Sequence, residues 1–431
     1  MNAVLAKRVD SGRAELSELR ELAVAAGYEV VGTLTQTRKE DTAHHFGRGK
    51  VTEIAECVAR TGAEAAIVDN ELGPYQMFNI GRILPGETEV LDRFTLILRI
   101  FGQRAQTRKA QLQVELAELR YELPRASAKT SLAKRDERPG FMGLGEYDES
   151  REQDIKAQIA SIKRELESIA DKDAQRRAER RDLGFDLVAL AGYTNAGKST
   201  LLRRLAAALD IDENADTHAD LDEVAESQDM LFTTLGTTTR RAELDRREVL
   251  VTDTVGFISD LPHWLVESFE STLDSVYRAD LVLLVVDASE PVAEMREKLV
   301  TSHDTLHERN EAPVLTVFNK ADLLSEARLT EKRDALSALA PNPIAVSGKT
   351  GDNITPLRER VEAELPEWEH ERLLVPLADD TMSFVSWLYD HAYVETESYE
   401  GDQVLLAFEA RPAIVEQARS KAAALTPVES A

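Results

Sequence analysis

The sequence predicts an α/β chain of several domains, and three observations carry the prediction. Short apolar runs alternate with helical patterns through residues 1–100 and again through 185–350. One apolar run ends in a glycine-rich loop that opens a helix. Between the two α/β stretches the hydrophobic period changes to a heptad. Strand–helix alternation implies largely parallel sheets covered by helices.

Composition sets the limits. A chain of 431 residues is too long for one ordinary core and suggests two to four domains. With 43% hydrophobic and 30% charged residues it is globular. The single cysteine, Cys57, excludes an intramolecular disulfide framework and fits a reducing cytosol. The longest strongly apolar run, 281–286, is far short of the ~20 residues that span a bilayer. Lys7, Arg8 and Asp10 around a short apolar run give no sign of a signal peptide. Against 78 Asp and Glu stand 52 Lys and Arg, a net charge of −26. That argues against loose, chain-wide attraction to nucleic acid. Because the acid is spread along most of the chain rather than gathered in a tail, it reads as adaptation to concentrated salt, where screening shortens to roughly 3 Å.

In the first domain, 1–102, Val4-Leu5-Ala6 and residues 28–34 read as strands with a helix over 14–26 between them. A loop carrying His44, His45 and Gly47-Arg48-Gly49-Lys50 leads into a helix over 51–60, then a buried strand over 65–69. The Gly-Arg-Gly-Lys stretch lacks Walker A spacing and follows no buried strand, so it reads as a tight-turn loop rather than a second nucleotide site. The two histidines have no third ligand nearby, which disfavours a metal.

Residues 103–182 read as a helical hairpin. Leu112, Leu116, Leu119 and Leu123 share one stripe, and Ile155, Ile159, Ile162, Leu166 and Ile169 repeat the a/d spacing. Between them lies a polar stretch with Pro124, Pro139, Gly140, Gly143 and Gly145. This segment holds 18 Lys and Arg against 16 Asp and Glu, +2, while the remainder carries −28. With Arg125, Lys129, Lys134, Arg135 and Arg138 in its connection, it is a candidate arm for an anionic partner. After 368, strands over 373–376 and 403–408 and helices over 382–391 and 412–424 suggest a small α+β domain, 369–431.

The chemistry lies in the third domain, 183–368. The apolar run 185–191 meets Gly192-Tyr193-Thr194-Asn195-Ala196-Gly197-Lys198-Ser199, with a helix beginning around Ser199. This is a Walker A loop in its proper context. Its glycines let N–H groups turn inward on a phosphate chain at a helix N-terminus. Lys198 adds charge at the β/γ-phosphates, and the Ser199 hydroxyl is placed to ligate Mg²⁺. A strand over 248–252 ends in Asp253-Thr254-Val255-Gly256. Its carboxylate can support the metal, and the Gly256 N–H can meet a γ-phosphate. Another strand leads into Asn319-Lys320-Ala321-Asp322. The Asp322 carboxylate matches guanine N1–H and N2–H₂; adenine would leave it unpaired, so the base is guanine. Ser347-Gly348-Lys349 follows a strand and offers N–H groups to guanine O6. In Leu231-Phe232-Thr233-Thr234-Leu235-Gly236-Thr237-Thr238-Thr239 a switch threonine should complete the Mg²⁺ shell. Spacing alone does not choose among Thr233, Thr234 and Thr238. The ligand is GTP, and the architecture is a P-loop GTPase domain preceded by a small α/β domain with a helical hairpin and followed by an α+β appendage.

These motifs resemble those of the HflX-family GTPases, close to the Obg group. The P-loop wording through Leu201, Leu231-Phe232-Thr233-Thr234-Leu235 and Asp253-Thr254-Val255-Gly256-Phe257 carry the likeness. So do Phe46-Gly47, Gly49-Lys50, Glu53-Ile54 and Leu112-Gln113-Val114-Glu115-Leu116-Ala117 upstream. The resemblance spans roughly residues 1–370. It implies that Thr234 is the Mg²⁺-binding switch threonine and that Lys198, Thr234 and Gly256 form the catalytic set. It implies binding to the large ribosomal subunit, its RNA and proteins, in rescue, splitting or recycling, with the basic connection as the RNA-contacting tip. Phe257 stands where many GTPases carry a water-orienting Gln, which implies slow hydrolysis raised by a partner. Asn195 occurs in relatives that use K⁺, so K⁺ is an expected second ion. In the connection, Gly143-Leu144-Gly145-Glu146-Tyr147-Asp148-Glu149-Ser150-Arg151 departs from the family's G-P-G-E-T-Q wording. A cytoplasmic monomer is expected. The competing reading is a GTP-gated RNA-remodelling or RNA-modification factor, for which no Cys/His/Asp cluster outside the GTPase domain supplies chemistry.

Overall fold

The computed structural model describes residues 1–12, 14–136, 144–182, 184–206, 238–253, 256, 265, 276–307, 312–378 and 380–425. The chain divides into two compact units, one centred on residues 1–168 and the other on the residues that follow.

The first unit opens with β1 (Asn2–Val9), α1 (Ser17–Ala25), β2 (Glu29–Thr37), α2 (Arg48–Thr61) and β3 (Ala65–Val68). It continues with α3 (Pro74–Gly81), β4 (Glu89–Asp92) and α4 (Arg93–Arg104). The four strands form a parallel sheet in the order β2-β1-β3-β4. All four residues of β3 are buried, as its unbroken apolar run requires of a strand covered on both faces. Helix α2 lays Val51, Ile54 and Val58 into the core and stops at Gly62, whose left-handed conformation (φ 65°) closes the last turn. Here the structure departs from the sequence reading. Arg48, Gly49 and Lys50 form the first turn of α2, with Gly47 as its N-cap, rather than a free loop. The Gly47 N–H is taken by the Gln36 side chain at 2.9 Å.

Two long helices follow, α5 (Arg108–Asp136) and α6 (Leu144–Asp182). Arg108 meets Glu165 at 2.8 Å, and Arg151 meets Glu122, so the helices run antiparallel. Leu112, Leu116, Ile155 and Ile162 are buried, as the heptad spacing requires. Pro124 does not end α5. A proline removes one backbone donor and crowds one carbonyl, and the helix-forming Ala126-Ser127-Ala128-Lys129 stretch resumes beyond it. The basic connection around Arg138, with Pro139, Gly140 and Gly143, lies outside the described residues.

In the second unit, β5 (Asp186–Ala191), α7 (Lys198–Ala206), β6 (Thr238–Glu243), β7 (Glu248–Asp253) and β8 (Leu281–Asp287) come first. Then follow α8 (Val292–His307), β9 (Val314–Asn319), a 3₁₀ turn (Ala321–Leu323), α9 (Glu326–Leu336), β10 (Ile344–Ala345) and α10 (Ile354–Glu364). The sheet order is β10-β9-β8-β5-β7-β6, parallel except for the edge strand β6. Every residue of β5 and β8 is buried, which puts their carboxyl ends at the centre of the domain.

The chain ends in β11 (Glu369–Pro376), α11 (Thr381–His391), β12 (Tyr393–Glu400), β13 (Gln403–Ala410) and α12 (Pro412–Ala424). The strands form an antiparallel sheet, β11-β13-β12, with both helices packed on the face carrying Val404, Leu406 and Phe408. Buried Asp186, at the start of β5, joins this sheet to the larger one. It accepts from Arg247 at 3.0 Å and from Arg411 Nε at 2.7 Å, and Arg411 also pairs with Asp280 at 2.7 Å. Two arginines around one desolvated carboxylate leave no buried charge unpaired. Among the described residues no helix is long and apolar enough to cross a membrane.

Candidate nucleotide site

The site forms where the chain leaves β5 and turns into α7. Gly192 has φ 135°, and a Cβ there would lie 2.2 Å from the Val285 carbonyl oxygen, so only glycine passes this close to β8. Tyr193 is buried, with the Lys298 ammonium 5.5 Å from its ring centre. Thr194 is half-buried, and Asn195 stands exposed in the left-handed region at φ 63°. Ala196 is buried; beyond it Gly197, φ 87°, completes the reversal. A Cβ on Gly197 would meet Asn319 Nδ2 at 2.3 Å.

Lys198, the first residue of α7, is buried, and its ammonium donates to the carbonyls of Gly192 (2.9 Å) and Tyr193 (2.8 Å). Burial pulls its pKa down to about 8, opposed by the carboxylate of Asp253. The Ser199 hydroxyl donates to Asp253 Oδ2 at 2.6 Å. A hydroxyl and a carboxylate brought together by a helix start and a strand end are hard oxygen donors of the kind Mg²⁺ takes, so these residues fit the ion. Gly256 lies against the same loop. A Cβ on it would come within 2.8 Å of Lys198 Nζ and 2.7 Å of Thr194 Cγ2.

The base-recognition motif follows β9. Asn319 is buried; its Nδ2 donates to the Ala196 carbonyl at 2.8 Å and its Oδ1 accepts from the Gly348 N–H at 2.9 Å. One side chain thus ties the P-loop to the loop after β10. Lys320 takes a left-handed conformation (φ 60°), and Ala321 N–H donates to the Val346 carbonyl at 3.0 Å. Asp322 stands exposed on the 3₁₀ turn. Ser347 and Gly348 are buried while Lys349 is exposed. Arg204 of α7 holds the carbonyls of Gly348 (3.2 Å) and Lys349 (2.7 Å) from behind. The structure therefore brings residues 192–199, Asp253, Gly256, 319–322 and 347–349 to the carboxyl end of one sheet. Phe232, Thr233, Thr234, Leu235, Gly236, Thr254, Val255 and Phe257 lie outside the described residues. Thr238, one of three threonines considered for the metal, begins the edge strand β6 opposite Asp253.

One contributor was missed in the sequence: Arg204 is one of two adjacent arginines on a short helix and gives no signal of its own.

A doubly wound sheet with a phosphate loop at its centre and a guanine-type recognition loop two strands away defines a P-loop GTPase. Residues 13–102 match a family model described as GTP-binding GTPase N-terminal, 104–180 one described as GTP-binding GTPase Middle Region, and 187–320 one described as 50S ribosome-binding GTPase. The chain is 39% identical over 411 residues to GTPase HflX of Methanocaldococcus jannaschii, covering 95% of this chain and 96% of that one. It is 36% identical over 368 residues to GTPase HflX of Escherichia coli, covering 83% and 82%. A solved GTP-binding protein from Sulfolobus solfataricus in complex with GDP aligns at a TM-score of 0.45 and 24% identity, over 84% of this chain and 97% of that one. The chain belongs to the HflX GTPase family: it binds GTP and hydrolyses it.

Proposed function

We propose that the chain is a GTP-driven switch acting on the large ribosomal subunit, in rescue, splitting or recycling. Lys198 stabilises charge on the transferring phosphoryl group, and Gly256 reads the γ-phosphate through its N–H. Ser199 and Thr234 would hold Mg²⁺ with Asp253 in support, and the ion would supply neutralisation of phosphate charge. Asn319 braces the pocket, Asp322 selects guanine, and Ser347, Gly348 and Lys349 meet its O6. Phe257 in place of a polar residue makes the free enzyme slow and dependent on a partner. A cytoplasmic location follows from such a target.

The observation that supports the ribosomal target is the hairpin of α5 and α6. Its segment carries +2 in a chain of −26, and it precedes a domain matching the 50S ribosome-binding GTPase model. A segment spared the acidic bias is suited to an RNA surface. Gradient sedimentation with ribosomal subunits tests this. Co-sedimentation with the large subunit in a GTP analogue but not in GDP is expected; equal behaviour in both rejects the switch. Deleting residues 126–146 should weaken subunit binding and leave nucleotide affinity intact. K⁺ near Asn195 is the second proposed ion, and equal GTP turnover in KCl and NaCl would dismiss it.

A further inference from the structure

We infer that Asp287 is a positioning residue for guanine recognition, acting through Lys320. This rests on the reading of 319–322 as the base-recognition motif.

The register of the sheet creates the arrangement. Strands β8 and β9 are parallel, and their last residues, Asp287 and Asn319, lie side by side. The Ala288 N–H donates to the Asn319 carbonyl at 2.9 Å, so the two strand ends leave the sheet together. Asp287 Oδ2 then reaches the Lys320 ammonium at 2.8 Å. Its other oxygen accepts from the Ser289 N–H (2.9 Å) and hydroxyl (2.6 Å), which fixes the carboxylate. The Asp287 side chain is only 9% exposed, whereas that of Lys320 is 27% exposed. From α9, the buried Lys332 ammonium donates to the carbonyls of Ala288 and Glu290 and clamps the turn. The support is therefore rigid and the supported group is not.

Lys320 needs such support. It sits in the left-handed region, which is strained for a non-glycine residue. Its four-carbon stem would otherwise sample many rotamers, which costs entropy to order. An ion pair to a fixed, mostly buried carboxylate holds the ammonium before nucleotide arrives. Asn319 on one side and Asp322 two residues beyond Lys320 are then presented in fixed register. A bland alternative exists, in which Asp287 only caps the turn at Ser289.

Titration with a fluorescent guanine nucleotide separates the two. Asp287→Asn keeps an oxygen for Ser289 and removes the charge facing Lys320; guanine nucleotide affinity should fall about tenfold. Ser289→Ala weakens the cap and keeps the ion pair; affinity should hold. In a double-mutant cycle with Lys320→Gln the two losses should not add, and Asp287→Glu should recover part of the affinity. Wild-type affinity in Asp287→Asn, additive losses, or an equal loss in Ser289→Ala each overturn the inference. Asp322→Asn is the independent check on the motif: it should exchange guanine for xanthine preference. If it does and Asp287→Asn is silent, the base reading stands and only the role of Asp287 fails.

Discussion

The two largely parallel sheets of this protein share a switch in strand order and treat its consequence in opposite ways. In each, the first strand is followed by strands on one side and then the chain crosses to the other. Such a switch point leaves a crevice at the carboxyl ends, between β1 and β3 in one sheet and between β5 and β8 in the other. In the first it is sealed. The Asn70 side chain accepts from the Arg8 N–H at 2.9 Å and donates to the Arg8 carbonyl at 3.0 Å. Asp69 is paired with Lys7 and Arg93, both at 2.6 Å, and Arg8 Nε donates to the buried His45 ring at 3.1 Å. In the second, glycines at 192 and 197 let the backbone turn instead, and the nearest cation, Lys198, is held by carbonyls that a phosphate can replace. Topology supplies a crevice; side chains decide whether it is filled by the protein or by a ligand.

The largest effect should come from closing the open crevice. Gly197→Ala places a Cβ where Asn319 Nδ2 now lies and does so at φ 87°. The left-handed penalty of about 1–2 kcal/mol adds to the loss of the two hydrogen bonds Asn319 makes. Together these should lower GTP affinity by at least about a hundredfold, read by equilibrium titration, with far-UV circular dichroism unchanged. Undiminished binding would mean that Asn319 can move without harm, and the brace assigned to it would be wrong.

Opening the sealed crevice should cost stability and not binding. Asn70→Ala removes two hydrogen bonds between strand ends, worth about 1–2 kcal/mol, and should lower the melting temperature by several degrees. Guanine nucleotide affinity should not change. A drop in affinity instead would show that the first sheet takes part in nucleotide binding.

The contrast also explains what could be read from the chain. The P-loop was legible because strand, loop and helix are contiguous, so 185–205 contains its own structural context. The stripes at Leu112 and Ile155 were legible for the same reason. The strand Glu89–Asp92 was not: four residues running straight into α4 have no period to detect. Nor was β12, Tyr-Val-Glu-Thr-Glu-Ser-Tyr-Glu, whose charge disguises an edge strand that buries little. The place of Thr238 depends on its pairing with Asp253 across β6 and β7, and the reach of Asp287 to Lys320 on the register of β8 and β9. Those are long-range facts, which sequence spacing does not encode.

The smallest effect is a fraction of a proton, and it distinguishes the crevices by their cations. In the sealed crevice Arg8, Arg93 and Lys7 are each engaged by protein partners, His45 and Asp69. Lys198 is different. Burial lowers its pKa from the ordinary 10.5 to about 8, so folding disfavours its charged form. The sign follows directly: the nucleotide-free chain gains stability as pH rises through the window from about 8 to 10.5, because the unfolded chain holds more protons there. Phosphate oxygens at Lys198 favour the ammonium and should restore the ordinary pKa. Binding at pH 8 should therefore take up about half a proton, approaching one at pH 9 and falling toward zero at pH 7. Calorimetry in two buffers of different ionisation enthalpy measures this, and Lys198→Arg should abolish it because a guanidinium stays charged. Uptake that is absent in the parent, or persists in the arginine variant, would place the titrating group elsewhere and leave Lys198 charged in the empty site.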